Sequence, residues 1–114
     1  MLLSSPPLER KVVGVTARKM GLNVVCDPVV DAFVGARYLG TDKHKVTKLA
    51  VAMARGLHDA GILNVAKHYP SAHQHPFNGA LIDSHMAETY STQTKEELFE
   101  YNLYPYLELM KEGL

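Results

Sequence analysis

The sequence has 114 residues, of which 46% are hydrophobic and 21% are charged, and this composition suits one ordinary globular unit. Twelve basic residues balance twelve acidic ones, so the overall charge favours neither nucleic acid nor an anionic membrane as a partner. The single Cys26 excludes an internal disulfide framework, and no apolar stretch approaches the roughly 18 residues that a membrane span needs. These observations predict a cytoplasmic protein with no nucleic-acid or membrane partner.

The first part of the chain alternates helical and strand-like patterns. Apolar residues at loose helical spacing between residues 8 and 20, followed by Gly21, predict a helix that ends at this glycine. The apolar run Leu22–Cys26 predicts a strand that is buried on both faces. The segment Asp31–Gly40 has no clear period and is predicted to be a loop that carries Arg37.

The middle of the chain contains the clearest helical pattern. A helix is predicted between Asp42 and Gly61, and either Thr41 or Asp42 can cap its start. Ile62–Ala66 is then a second strand of the buried type. The order strand, helix, strand implies parallel pairing with a right-handed crossover, and hence an α/β fold. The apolar face of the predicted helix consists of Val46, Leu49, Ala50, Met53 and Leu57.

The C-terminal part begins with a long segment, from Tyr69 to Thr92, that has no sustained period, and such long loops are usually functional or disordered. Residues 94–97 then form a capping box that predicts a helix, which Pro105 should kink or restart. We expect packing residues of this last helix at Leu98, Tyr101, Tyr104, Tyr106, Leu107 and Met110.

Candidate catalytic groups follow the second predicted strand. In parallel α/β folds, functional groups collect at the C-terminal ends of strands. The groups expected at this edge are Asp27 and Asp31 after the first strand, Lys67 and His68 after the second, and His73, His75, Asp83 and His85 from the long segment. A carboxylate two residues from an imidazole can accept its N–H and raise its basicity, so this pair can move a proton near neutral pH. The same residues could instead form an Asx-type turn beside a solvated histidine, and Lys67 could be an ordinary solvated strand end.

Histidines offer a second interpretation. His68, His73, His75 and His85, together with Asp83, could hold zinc, because imidazole is a common ligand of this metal. Their spacing matches no HExxH or CxxC pattern, so the preferred prediction includes no metal and no cofactor.

Arg37 is a further candidate. Its fixed fork of donors could clamp a hydroxyl or a carboxylate of a ligand, or it could pair with Asp31 or Asp42. Cys26, inside an apolar run, is predicted to be a small core residue and not a nucleophile.

Four segments stand in a specific order along the chain: Gly21–Asp31, Ala36–Gly40, Val65–Pro70 and Ile82–His85. Together they resemble the N-terminal barrel domain of glycoside hydrolase family 3, particularly its β-N-acetylhexosaminidase branch, over residues 14–114. The resemblance implies that residues 1–114 form one partial domain of a (β/α)₈ TIM barrel whose later strands are absent. The length agrees, because a closed barrel needs about 250 residues.

The resemblance also implies roles for individual residues. Arg37, Lys67 and His68 match the family residues that hold sugar hydroxyls. Asp83 and His85 match an acid/base dyad, in which His85 donates a proton to the glycosidic oxygen and Asp83 orients the ring. Retaining chemistry needs a nucleophilic carboxylate as well, and the family supplies it from a later strand that this sequence lacks. The chain alone is therefore expected to be inactive.

One departure from the family pattern concerns the substrate. The family's Pro-Gly-His-Gly is replaced by the residues 70–75, Pro-Ser-Ala-His-Gln-His, so β-N-acetylglucosaminides and β-glucosides both remain open. We thus expect a fragment of a retaining glycosidase with a carbohydrate substrate. Its open sheet edges could pair with a second copy or with a complementing chain. The alternative is a small α/β binding or interaction module that depends on a histidine-bound metal.

Overall fold

A computed structural model describes residues 6–31, 39–71, 86–88 and 90–114. The two strands lie parallel in one sheet, which confirms the predicted α/β order, although each strand has two residues and is shorter than predicted. The elements in chain order are α1 (Pro6–Lys19), β1 (Val24–Val25), α2 (Lys43–Asp59), β2 (Leu63–Asn64), α3 (Lys95–Glu97), a π-helical segment (Leu98–Asn102) and α4 (Tyr104–Lys111).

Helix α2 lies between the other long helices and begins and ends as predicted. Asp42 caps it, because Asp42 Oδ1 accepts a hydrogen bond from Lys45 N at 2.8 Å. Gly61 follows the helix with a φ of 72°, a conformation that residues with a Cβ rarely adopt. The predicted apolar face is confirmed, since its buried members are Val46, Ala50, Met53 and Leu57.

Helix α1 packs along one side of α2. Ala17 of α1 forms a buried cluster with Leu57 and Ile62, and strand β1 packs against it. The two helices come close at Gly14, where a Cβ would lie only 2.6 Å from Ala60 Cβ. Because real Cβ atoms do not approach so closely, glycine permits this helix packing.

Helix α4 packs on another side of α2, where Leu109 joins Ala50 and Ala54 in a second buried cluster. Three residues that were predicted to pack are exposed, namely Tyr101, Leu107 and Met110. That prediction was wrong because Pro105 and Leu109 are the buried residues of α4, and Leu107 and Met110 do not share their side of the helix.

The start of the last helical region agrees with the sequence. Thr94 Oγ1 accepts a hydrogen bond from Glu97 N at 3.2 Å, and Thr94 N donates to Glu97 Oε2 at 2.8 Å. This is the predicted capping box. Pro105 lies in the first turn of α4 and restarts the helix, as predicted.

The sheet is covered on one face only. Val24 and Leu63 are opposite each other in the parallel register and therefore share a face, and both are exposed, as is Val65. The prediction of strands buried on both faces was wrong, because none of the described residues covers this second face. Cys26 is likewise exposed and not buried as predicted, since the run that contains it has a covering layer on one side alone.

None of the described helices is both long and apolar enough to cross a membrane. The cytoplasmic location stays a prediction.

Candidate functional site

The segments that follow β1 and β2 lie side by side. Parallel pairing continues beyond the strands as an isolated bridge between Val29 and Lys67, where Val30 N donates to Lys67 O at 2.9 Å. This pairing brings Asp31 next to His68 at the C-terminal ends of both strands. The sequence predicted functional groups at this edge. The described residues Asp31, Lys67 and His68 lie together there, and we call them the cluster.

The central contact of the cluster joins Asp31 and His68. Asp31 Oδ2 accepts the backbone N–H of His68 at 2.8 Å and lies 2.7 Å from Nδ1 of the imidazole ring. The Asp31 side chain is 3% exposed, whereas that of His68 is 38% exposed. Because a carboxylate accepts, Nδ1 carries the hydrogen in this contact, and a neutral ring then has Nε2 as its acceptor. Asp31 therefore fixes the ring while part of it stays accessible to a ligand.

A second buried carboxylate lies at the end of β1. Asp27 Oδ2 is 2.7 Å from Arg10 Nη1, and the two side chains are 6% and 29% exposed, respectively. This oxygen receives no hydrogen bond of good geometry from the described residues, so the attraction is chiefly that of opposite charges. Arg10 thus ties the start of α1 to the strand end and balances a buried charge beside the site.

Helix α4 meets the cluster through its residue Tyr106, which contacts Tyr69, the residue after His68. The rings of Tyr69 and Tyr106 meet edge-on, with centroids 5.4 Å apart and an interplanar angle of 90°. The Tyr106 hydroxyl is buried and has no hydrogen-bond partner in the described part of the chain. Its burial, and next the nearby Asp31 carboxylate and Tyr69, raise the pKa of Tyr106 well above its ordinary value. Tyr106 therefore remains a neutral phenol next to the charged cluster.

The structure describes two of the five predicted site residues. Lys67 and His68 are half-buried and adjacent at the end of β2, joined by a cis peptide bond. Arg37, Asp83 and His85 lie outside the described residues, so their predicted roles remain predictions.

The sequence placed Asp31 at the edge where His68 stands but gave it no role, and it did not assign Arg10 to the site. The signal for Asp31 was its place after β1, since neighbouring parallel strands bring the residues beyond their ends together. Arg10 carried no such signal, because its contact with Asp27 depends on how α1 packs against the sheet.

The predicted metal site is not tested. Of its histidines only His68 is described, and His73, His75 and His85 lie outside the described residues. Within the described ranges, no group of three or more His, Cys, Asp or Glu side chains could hold a metal ion.

Comparison with known proteins agrees with the geometry of the strand ends. The family described as Glycosyl hydrolase family 3 N terminal domain matches residues 10–114. The chain belongs to glycosyl hydrolase family 3. Among its family 3 relatives, the beta-hexosaminidase of Haemophilus influenzae Rd is 35% identical over 80 residues, which are 70% of this chain and 21% of that protein. Beta-hexosaminidase LpqI of Mycobacterium tuberculosis is 43% identical over 60 residues, 46% of this chain and 16% of its own length. The family 3 chain thus spans about a fifth of these curated relatives.

Solved family 3 structures share the fold. A family 3 glycosyl hydrolase of Mycobacterium smegmatis superposes with a TM-score of 0.73 at 33% identity and covers 88% of this chain and 33% of its own. M. tuberculosis LpqI gives a TM-score of 0.71 at 28% identity, over 93% of this chain and 31% of its own. NagZ of Neisseria gonorrhoeae, at 23% identity and a TM-score of 0.78, shows the fold alone, over 96% of this chain and 32% of its own. The predicted family and the partial barrel are confirmed.

Proposed function

We propose that this family 3 chain carries the sugar-holding and proton-transfer residues of a retaining β-N-acetylhexosaminidase. The observation that carries the proposal is the contact between Asp31 and His68, next to Lys67, at the C-terminal ends of two parallel strands. The names of the relatives support the hexosaminide over the β-glucoside, since both relatives described above are called beta-hexosaminidases.

In this proposal Lys67 and His68 bind sugar hydroxyls. The Lys67 ammonium group offers only donors, whereas His68, with Nδ1–H directed to Asp31, offers an acceptor at Nε2. A donor beside an acceptor suits a sugar, because every hydroxyl both donates and accepts. Arg37 is proposed as a third hydroxyl ligand. The buried Asp31 carboxylate prevents the His68 ring from turning away.

Asp83 and His85 are proposed to transfer the proton. His85 donates a proton to the glycosidic oxygen as the bond to the leaving group breaks, while a carboxylate attacks the anomeric carbon and forms a glycosyl-enzyme. Water then attacks that carbon, and His85 accepts the proton that the water releases. Asp83 accepts the ring N–H and keeps His85 in the correct tautomer.

The nucleophilic carboxylate is proposed to come from residues outside this sequence. Asp27 and Asp31 do not fit this role, because each is buried and engaged, one with Arg10 and the other with His68. The remaining strands of the barrel would pair with the open edges of β1 and β2. The carbohydrate substrate is then bound by the completed barrel.

Hydrolysis by a completed barrel tests the proposal. The chain is joined to the later barrel strands of the H. influenzae relative, and aryl N-acetylglucosaminides with good and poor leaving groups are assayed. We expect His85→Ala and Asp83→Ala to slow poor leaving groups about 100-fold and good ones far less, because a general acid matters most when the leaving group is basic. His58→Ala, at an exposed position of α2, is the matched control and should keep the parental rate.

Parental rates with poor leaving groups in both variants would show that the acid/base assignment is wrong. A completed barrel that hydrolyses β-glucosides but not N-acetylglucosaminides would move the proposal to the glucosidase branch.

A further inference from the structure

Three side chains outside the cluster around His68 form a closed hydrogen-bonded ring. Asn102 Nδ2 donates to Ser71 Oγ at 2.8 Å, and Gln93 Nε2 donates to Asn102 Oδ1 at 2.6 Å. Ser71 Oγ donates in turn to Gln93 Oε1 over 3.4 Å, which closes the ring. All three residues are partly buried. We call this group the Ser71–Gln93–Asn102 clasp.

The clasp joins parts of the chain that are distant in sequence. Ser71 comes three residues after His68, at the edge where β2 ends. Gln93 immediately precedes Thr94, the N-cap of α3, and Asn102 is the last residue of the π-helical segment. The clasp therefore fixes both ends of the segment 72–92 against one helical support.

The hydrogen bonds of the clasp depend on one another. Each amide side chain donates through its nitrogen and accepts through its oxygen, so truncation of one amide removes two contacts of the ring. The Gln93 end is also held through its main chain, because Gln93 N donates to Ser91 Oγ at 3.2 Å. A chain of mutually polarised bonds is stronger than its members taken singly.

Further hydrogen bonds hold the helical support beneath the clasp. The Thr94–Glu97 capping box fixes the start of α3, and Lys43 of α2 donates to Glu100 O at 3.1 Å within the π-helical segment. Asn102 thus stands on a helical unit that is bound to α2, the central helix of the described fold.

We propose that the Ser71–Gln93–Asn102 clasp is a positioning device for proton transfer. It holds the two ends of the segment that contains Asp83 and His85 at a constant distance from Lys67 and His68. This inference rests on the proposed function, because only the acid/base assignment gives the segment a chemical task. The clasp residues touch no substrate and act through the segment that they hold.

Amide hydrogen exchange of the 114-residue chain tests the structural half of the proposal. We expect Asn102→Ala to raise exchange of residues 72–90 by about tenfold, the size expected for loss of a net hydrogen bond, and to leave α2 unchanged. Asn23→Ala, at an exposed position before β1, is the matched control and should change neither region.

Ser71 supplies a second, milder pair of variants. Ser71→Ala should raise exchange as Asn102→Ala does, whereas Ser71→Thr keeps the hydroxyl and should restore the parental value. The double variant with Asn102→Ala should exceed neither single variant by more than about twofold, because both remove the same ring. Independent, multiplicative effects would overturn the proposal, as would exchange in residues 72–90 that is already unprotected in the parent. A parallel rise in α2 would also overturn it, since the clasp would then support the whole fold.

Kinetics of the completed barrel test the chemical half. Asn102→Ala should lower kcat for poor leaving groups about tenfold with little change in KM, since Lys67 and His68 are not displaced. An equal loss with good and poor leaving groups would indicate general damage and overturn the proposal.

The two proposals fail in different ways. If exchange rises in the clasp variants but His85→Ala keeps its activity, the clasp holds the segment and the acid/base role is wrong, so the clasp has no part in proton transfer. If His85→Ala loses activity but exchange does not respond to the clasp variants, the proposed function stands and the clasp inference is wrong.

Discussion

The residues around His68 and the Ser71–Gln93–Asn102 clasp are held in place by different chemistry. After β1, the buried carboxylates of Asp27 and Asp31 contact a guanidinium and an imidazole. After β2, Ser71 is held by neutral amide side chains. Hydrogen bonds that involve an ionised group are roughly twice as strong as neutral ones. The residues proposed to hold the sugar are therefore fixed more firmly than the ends of the segment proposed to carry the proton donor.

This difference suits the two proposed tasks. Some groups bind the sugar both in its ground state and in the transition state. They must stay in one position, because binding energy that is spent on rearranging them no longer stabilises the transition state. A proton donor must instead serve twice, first as an acid toward the leaving group and later as a base toward water. The clasp has only to keep the ends of this segment in place, and neutral hydrogen bonds suffice for that.

The largest expected effect comes from Asp31, the strongest contact on the β1 side. Asp31→Ala should lower the free energy of unfolding by about 2 to 3 kcal/mol, because it removes a charged acceptor and leaves the His68 backbone N–H without that bond. Urea unfolding of the 114-residue chain measures this difference. Asp59→Ala, at an exposed position near the end of α2, should stay within about 0.5 kcal/mol of the parent. Equal effects of the two variants would mean that the Asp31 contacts add no stability, so the region around His68 would not be held more firmly than the clasp.

Local patterns made much of the fold predictable. Helix α2 and its Asp42 cap follow from residue spacing and from a single side chain, and both depend on neighbours within one turn. The exposed faces of Val24 and Leu63 were not predictable in the same way, because burial of a strand depends on layers supplied from elsewhere. Met110 was misplaced for a related reason, since the side of α4 that is buried depends on how this helix packs against α2.

The candidate site was predictable to a lesser degree. Lys67 and His68 were found because a strand end beside a long segment is a recognisable position in an α/β chain. Their contact with Asp31 was not found, since it depends on the register of two strands that are far apart in sequence. Sequence patterns identify which residue types reach the edge of a sheet, whereas pairing decides which of them meet.

A smaller effect is expected from the second buried carboxylate. Arg10→Ala should lower the free energy of unfolding by about 1 to 2 kcal/mol, because it leaves the buried Asp27 charge without its partner. The loss is limited because part of the site stays open to water. Arg55→Ala is the matched control, since its partner Glu112 is 42% exposed and Arg55 itself is 56% exposed. That exposed pair should contribute less than about 0.5 kcal/mol.

Thermal or urea unfolding of both arginine variants sharpens the comparison. A loss in Arg10→Ala that matches the one in Arg55→Ala would mean that burial of Asp27 adds nothing to the pair. In that case the region after β1 would rely on Asp31 alone.

The smallest expected effect is a gain in stability at Tyr106, where α4 meets the site. Its hydroxyl is buried without a hydrogen-bond partner among the described residues, so Tyr106→Phe removes an unpaired polar group and keeps the ring contact with Tyr69. We expect the free energy of unfolding to rise by about 0.5 to 1 kcal/mol near pH 7. Tyr101→Phe, at an exposed tyrosine, is the control and should change it little.

The pH dependence at Tyr106 has a definite sign. Burial, and next the Asp31 carboxylate and Tyr69, raise the pKa of the folded-state phenol above its ordinary value, so the unfolded chain loses this proton first as the pH rises. The Tyr106 contribution to stability is therefore intact below about pH 10 and declines above it. The Phe variant lacks this decline, and its advantage over the parent should widen in urea unfolding above about pH 10. A constant difference across that range would mean that the phenol ionises equally in both states and that Asp31 does not act on α4.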